Sequence, residues 1–460
     1  MNDSKLQDHP THVRWHIMGL LTFVSMLTYL DRLNLSIAGK YIQDQYSFNT
    51  QTMGWILSAF LLGYAIFQIP GGWAVDRFGP RKILTFAISW WSVTTALTAV
   101  APRLPLVGLL GAAWSFAIVR FFIGLGESCV SPNASKVVAA WMGEKRTGIG
   151  SSFHVLGNGL GGVVTPVFIA AIMVRWGWQT SFYACSVLGI VTAIIWFIYV
   201  RDVPQQHPRV NEEELAFIQP RETPANFALV SPRRRTPWLK MLSRGSVWGL
   251  MLGYFCQGYP VHFFHLWFFI YLVRVRGLSV TQGSFWDSAP YVAIALLSPL
   301  GGWFSDFAVR HWNKRRGRHS AVWVGMGLSA LLLWTGGNVK NTTVSILILA
   351  TAAGFNMFAT PTFWAACVDL TRVHPGSLSG LMNTFGNLGG WLSPIITAYT
   401  ATKFGWSKAI DLAAIVTLGS GLLFSFVRAD LPLEEAIVSD LSHSPAVAHH
   451  VVHGAVQGEG

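Results

Sequence analysis

The sequence predicts an all-α membrane protein with twelve transmembrane helices in two six-helix bundles. Three observations carry that expectation. The chain is 460 residues long with 52% hydrophobic and only 12% charged residues; apolar runs follow one another along it; and two motifs recur half a chain apart. A water-soluble protein carries roughly 25% charged residues. With about half that supply this chain cannot cover a water-facing surface of its size, so lipid must contact much of it. Mean hydropathy is +0.42.

A helix that crosses the bilayer needs ~20 mainly apolar residues. That ruler places crossings near 15–38, 52–74, 82–101, 105–129, 147–174 and 178–200, and again near 245–272, 284–304, 319–337, 343–369, 377–401 and 408–428. The first segment is too long, and too polar at its centre, for a removable signal peptide. Residues 1–200 are then one six-helix bundle and 244–429 the other. The interval 201–243 holds Glu212, Glu213 and Glu214, the run Arg233, Arg234 and Arg235, and several prolines. It reads as a soluble linker with one surface helix. Residues 430–460 are small, polar and His-containing, and read as a disordered tail rather than a metal site.

Net charge is +12. In a soluble protein that would suggest nucleic acid; here a topological reason is sufficient. With the N-terminus inside, 23 of the 33 Lys and Arg residues fall on the cytoplasmic side, so both termini and the linker are expected there, in a bacterial inner membrane. Cys129, Cys185, Cys256 and Cys367 are scattered without a CxxC pair, which indicates neither a disulfide framework nor a metal site.

The repeat comes from two unrelated motifs. GGWAVDRFG starts at Gly71 and GGWFSDFAVR at Gly301, 230 residues later; GNGLGGVVTP starts at Gly157 and GNLGGWLSP at Gly386, 229 residues later. Duplicated halves of this kind place a substrate site near the membrane midplane between them. In the first motif, Asp76, Arg77 and Arg81 could join helix ends in one conformation and release them in another, as a gate.

The loop motif resembles the hallmark of the major facilitator superfamily. YLDRLNLS, RFFIGLGES, FWAACVDL and GLMNTFGNLGGWLSP narrow the resemblance to its anion:cation symporter branch, the carriers of sugar acids, hexuronates and other organic anions. It covers essentially all the chain except linker and tail. It implies two six-helix bundles, alternating access, and no cofactor.

The charges inside spans need a use. One charge at a helix centre costs ~2.5–3.5 kcal/mol on insertion scales, yet Asp31 and Arg32 lie side by side. Neighbouring helix residues point ~100° apart and cannot pair, so each needs another partner. Arg120 and Glu127 share a face of the fourth span, ~10 Å apart along its axis. Two acids and two bases sum to zero, which is tolerable around a wet chamber. Read on their own, the four residues are either fixed salt bridges or an anion site. The resemblance implies the second: Arg32 and Arg120 recognise the anion, and Asp31 and Glu127 carry protons.

Other polar residues are candidates to complete the pocket. Tyr29, Tyr64, Asn158, Trp364 and Asn383 are expected to contact substrate, Asn158 near where the branch has a substrate-contacting amide. His154, Gln257, His262 and Asn387 are candidates for selectivity; His154 could equally be a satisfied packing residue, and Asn387 a bond between helices. The expected activity is proton-coupled symport of an organic anion into the cell, with aldonates, hexuronates or glucarate favoured over aromatic or dicarboxylic acids. A monomer is expected, with lipid, a small anion and protons as its partners and no nucleic acid. A membrane-embedded enzyme is disfavoured because HExxH, GxSxG and paired metal-ligand motifs are missing. GxxxxGK[ST] is missing too, which argues against an ATP-driven pump. A sensor on a transporter scaffold would bind without turnover.

Overall fold

The computed structural model describes residues 9–48, 50–104, 111–218 and 236–433. Most of the expected tail, and the linker's Arg233, Arg234 and Arg235, lie outside them. Within the described residues the chain is helical and contains no strand. Six spans form the first half: span 1 (Val13–Tyr46), span 2 (Thr50–Phe78), span 3 (Pro80–Val100), span 4 (Ala112–Glu127, continued by Val130–Trp141), span 5 (Thr147–Trp176) and span 6 (Trp178–Tyr199). The second half repeats them as span 7 (Gly245–Leu266), span 8 (Ala289–His311), span 9 (Lys314–Asn338), span 10 (Thr342–Leu370), span 11 (Pro375–Phe404) and span 12 (Trp406–Phe424).

Ten of these have the length and apolar composition of a membrane crossing; spans 7 and 11 fall short. Their shortfall has a chemical cause. Span 7 carries Tyr254, Gln257, His262 and His265, and span 11 carries Asn383, Asn387 and several serines. Large apolar residues such as Trp55, Val167 and Ile415 are exposed, as expected where the solvent is lipid rather than water.

Span 4 differs most from the sequence expectation. It continues past the expected end at 129 because SPNASK, Ser131 to Lys136, is polar yet helical and largely buried. That continuation packs against spans 1, 2, 3, 5, 10 and 11, so its polar groups have protein rather than lipid around them. Two turns underline the duplication: Gly177 ends span 5 at φ +81°, and Gly405 ends span 11 at φ +90°. Both are left-handed positions that favour glycine.

The halves meet where span 5 packs on span 8 and span 2 packs on span 11. Glycines permit the approach: a Cβ on Gly72 of span 2 would run into the carbonyl of Gly376 in span 11. The linker helix Glu212–Ile218 docks on the first half, where buried Glu214 accepts the backbone N–H groups of Val13 and Arg14 and the Thr11 hydroxyl. It thereby caps the start of span 1.

Candidate functional site

Span 1 sends its two adjacent charges in different directions. Arg32 donates from Nε to Glu127 Oε2 at 2.8 Å. Its guanidinium carbon lies 4.7 Å from the ring centre of Tyr64, 5.2 Å from Phe60 and 5.6 Å from Tyr29, within cation–π range. The Arg32 side chain is 29% exposed while that of Glu127 is wholly buried. The site therefore presents its cation and hides its acid.

Asp31 turns the other way. It is buried beside Trp91 and Thr95 of span 3. Its Oδ1 has no hydrogen-bond partner among the described residues. Arg120 is also buried, with its guanidinium carbon 4.9 Å from the Phe60 ring and with Nε and Nη1 unpartnered among the described residues. Of the expected four-charge cluster, Arg32 and Glu127 form an ion pair, while Asp31 and Arg120 are buried within electrostatic reach of Glu127 and of each other without a direct bond among the described residues. Helix geometry is the reason: a ~100° step puts Asp31 against span 3 when Arg32 faces span 4.

The second half supplies the opposing wall. Asn383 of span 11 donates from Nδ2 to the Tyr64 hydroxyl at 3.3 Å. Trp364 of span 10 sits edge-on to His154 at 5.6 Å and to Tyr254 at 5.7 Å, and His265 of span 7 is edge-on to Tyr29 at 6.3 Å. Asn158, half-buried, lies one turn beyond His154.

His154 is satisfied at both ring nitrogens, with Ser25 Oγ 2.7 Å from Nδ1 and Ser131 Oγ 3.1 Å from Nε2. The Ser25 hydroxyl also donates to the Leu21 carbonyl at 2.8 Å, which leaves it to accept from His154 Nδ1–H; Ser131 then donates to Nε2. Gln257 is similarly held, donating to Asn356 Oδ1 and Thr360 Oγ1 inside the second half. His262 bonds the carbonyl of Gly258 at 3.0 Å through Nδ1. Asn387 donates to the Asn383 carbonyl of its own helix at 2.8 Å, not to a neighbouring helix.

At the end bearing the chain termini, Asp76 accepts from the backbone N–H groups of Gly376 at 3.1 Å and Ser377 at 2.6 Å, and from the Ser377 hydroxyl at 2.7 Å. A carboxylate from the first half thus caps the start of span 11 in the second. The other two loop residues do not cross. Arg77 is exposed over Trp73 and Phe78. Arg81 binds the Phe197 carbonyl of span 6 within its own half. A long exposed cation has no reason to leave water for a helix end that repels it.

Sequence reasoning passed over the mirror-image contact. Asp306 takes the place of Asp76 in the second GGW motif, and accepts from the N–H groups of Gly148 at 2.8 Å and Ile149 at 2.7 Å, capping span 5. Arg318 is fully buried and binds Asp306 at 2.9 Å and Asp369 at 2.8 Å. Lys136 reaches Asp76 at 3.4 Å and the Val373 carbonyl at 2.8 Å. The repeat itself was the signal that could have located Asp306. No group of three or more His, Cys, Asp or Glu placed to hold a metal occurs among the described residues.

The family model described as Major Facilitator Superfamily matches residues 21–390 and 270–448. The chain belongs to that superfamily. Within it, the chain is 30% identical over 405 residues to the probable galactarate/D-glucarate transporter GudP of Bacillus subtilis, covering 86% of this chain and 87% of that one. It is 27% identical over 429 residues to the probable sulfoacetate transporter SauU of Cupriavidus necator, covering 92% and 96%. Among solved structures, the superfamily proton:xylose symporter XylE bound to 6-bromo-6-deoxy-D-glucose superposes with a TM-score of 0.71 at 17% identity, over 90% of this chain and 96% of that one. FucP in its outward conformation superposes with a TM-score of 0.68 at 13% identity, over 91% and 100%. These likenesses agree on the major facilitator fold, and the chain is a multi-pass membrane protein of a transporter family.

Proposed function

We propose that this chain is a secondary transporter that moves a sugar acid, such as an aldonate, hexuronate or glucarate, together with protons. The Arg32–Glu127 pair carries the reading. A guanidinium that is partly exposed, ringed by Tyr29, Phe60 and Tyr64, and held through Nε alone keeps its terminal nitrogens for a carboxylate. Relatives named for galactarate, D-glucarate and sulfoacetate support an organic anion as cargo.

In the cycle, a proton reaches Glu127 and removes the charge that holds Arg32. The substrate carboxylate then takes that place on the guanidinium, with Tyr64 and Asn383 positioned to hydrogen-bond its hydroxyls. Asp31, buried with an unpartnered oxygen, is the second carrier, because a proton removes the cost of an unpaired buried charge. Arg120 offers a second cation to the anion. Asp76 and Asp306 hold the terminus-bearing end shut, and their release opens it. Charge asymmetry puts that end in the cytoplasm, so cargo is loaded from outside and released inside. The reading is tested with purified protein in proteoliposomes. D-Glucarate accumulation above its external concentration should require an inward proton gradient, and all uptake should vanish in Arg32→Ala; accumulation that persists after full collapse of the gradient overturns the coupling.

A further inference from the structure

A groove of about 420 Å³ opens at the terminus-bearing end of the second half, within the size range of small-molecule sites. The start of span 7 and the segment after span 12 form its walls, with Trp248, Leu252 and Phe426 as the main apolar surfaces. Arg244 and Arg428 line it as well, and no Asp or Glu does so among the described residues. Trp248 is 42% and Phe426 68% exposed. Both stand within the first turn of one span or just past the last of another, the level at which hydrocarbon gives way to headgroups.

We propose that this groove binds an anionic glycerophospholipid of the leaflet that faces the chain termini. Two guanidiniums beside an apolar channel match a phosphate joined to acyl chains. Arginine grips phosphate through paired N–H bonds, and basic pockets between membrane helices on this side hold anionic headgroups. The first N–H groups of span 7, at Gly245 and Ser246, face the same space without a side-chain cap and add donors. Ser246 already ties the two walls together, since its hydroxyl accepts from the Arg428 N–H at 3.1 Å. A bound lipid would therefore bridge the ends of spans 7 and 12.

The test uses the full chain, stripped in neutral detergent and exchanged with phosphatidylglycerol or phosphatidylcholine of identical acyl chains. Bound lipid is counted by native mass spectrometry. Wild type should retain phosphatidylglycerol preferentially. The preference should fall about tenfold in the Arg244→Gln, Arg428→Gln double variant and by less in Arg428→Gln alone. Equal melting temperatures in neutral lipid establish that the variants fold; if the double variant does not, the exposed Arg428 carries the test. Equal retention of the two lipids by wild type, or a preference unchanged in the variants, overturns the proposal. So does displacement of phosphatidylglycerol by inorganic phosphate alone, which would mark a site for a free anion. A preference that emerges only after removal of residues 434–460 would give the groove to the chain's own C-terminal segment, and would also overturn it.

Discussion

Asp76 and Asp306 hold equivalent places in the two copies of one motif, and each caps a helix of the opposite half. Asp76 receives the N–H groups that begin span 11, and Asp306 those that begin span 5. The two carboxylates therefore bridge the halves at the same end of the protein, from both sides of its pseudo-symmetry. Their supporting cations are unrelated: Lys136 of span 4 serves one and Arg318 of span 9 the other. Duplication preserved the cap, and each half found its own counter-charge.

A cap of this kind contributes ~1 kcal/mol, so two removed together move a balanced equilibrium by about thirtyfold. Asp76→Ala combined with Asp306→Ala should open the terminus-bearing end. Spin labels at Arg77 and His311, both exposed, should show a longer distance population in double electron–electron resonance. An unchanged distribution would mean that the caps do not hold this end shut.

Gly72 tests the same closure from the packing side. Its added Cβ meets the Gly376 carbonyl, and backbone cannot step aside as a flexible side chain would. Gly72→Ala should favour the open form in the same label experiment and slow transport at least tenfold, with substrate affinity altered far less. Transport at the wild-type rate would show that spans 2 and 11 need not approach so closely.

Removing Arg32 strands Glu127 as a buried acid without its cation. Breaking a buried pair costs ~3 kcal/mol, so Arg32→Ala should melt well below wild type. Adding Glu127→Gln should recover most of the loss while D-glucarate binding remains absent. Arg32→Lys keeps the charge but loses the fork, and its affinity should fall at least tenfold. Calorimetry and thermal melts check both outcomes.

The linker carries its own pH dependence. His207 is buried, with Trp141 and Tyr199 edge-on to its ring. Burial, followed by the nearby Arg201 charge, lowers its pKa from the usual 6.5. The fold therefore favours neutral His207. The stability it lends is present above about pH 6.5 and is lost as pH falls toward the lowered folded-state value. Protection of residues 207–218 from hydrogen exchange, corrected for intrinsic rates, should drop between pH 7.5 and 5.5. His207→Gln should flatten that drop, and an identical drop in the variant would remove His207 from the account.

Much of this architecture was legible in the sequence because lipid imposes a simple rule: a crossing must be long and apolar, and a duplicated chain announces itself. The Arg32–Glu127 neighbourhood was legible for a related reason, since charges inside apolar runs must find each other. Asp31 was harder. Its proximity to Arg32 in sequence says nothing about which neighbouring helix it faces, and span 3 carries no charge near Trp91 and Thr95 to mark the contact. His154 and Gln257 looked like free polar groups because their partners, Ser25, Ser131, Asn356 and Thr360, are small residues unremarkable in isolation. The buried continuation of span 4 was missed because SPNASK reads as water-facing until spans 10 and 11 cover it.

The central claim is that a proton on Glu127 releases Arg32 for the anion. It is tested most directly by proton uptake into proteoliposomes when D-glucarate is added outside, with no gradient imposed at the start. Wild type should show acidification of the lumen that scales with the D-glucarate taken up. Glu127→Gln, which holds a permanently neutral amide there, should still bind D-glucarate but show reduced proton movement per anion. Wild-type D-glucarate influx without accompanying protons, or full proton movement in Glu127→Gln, would contradict the account.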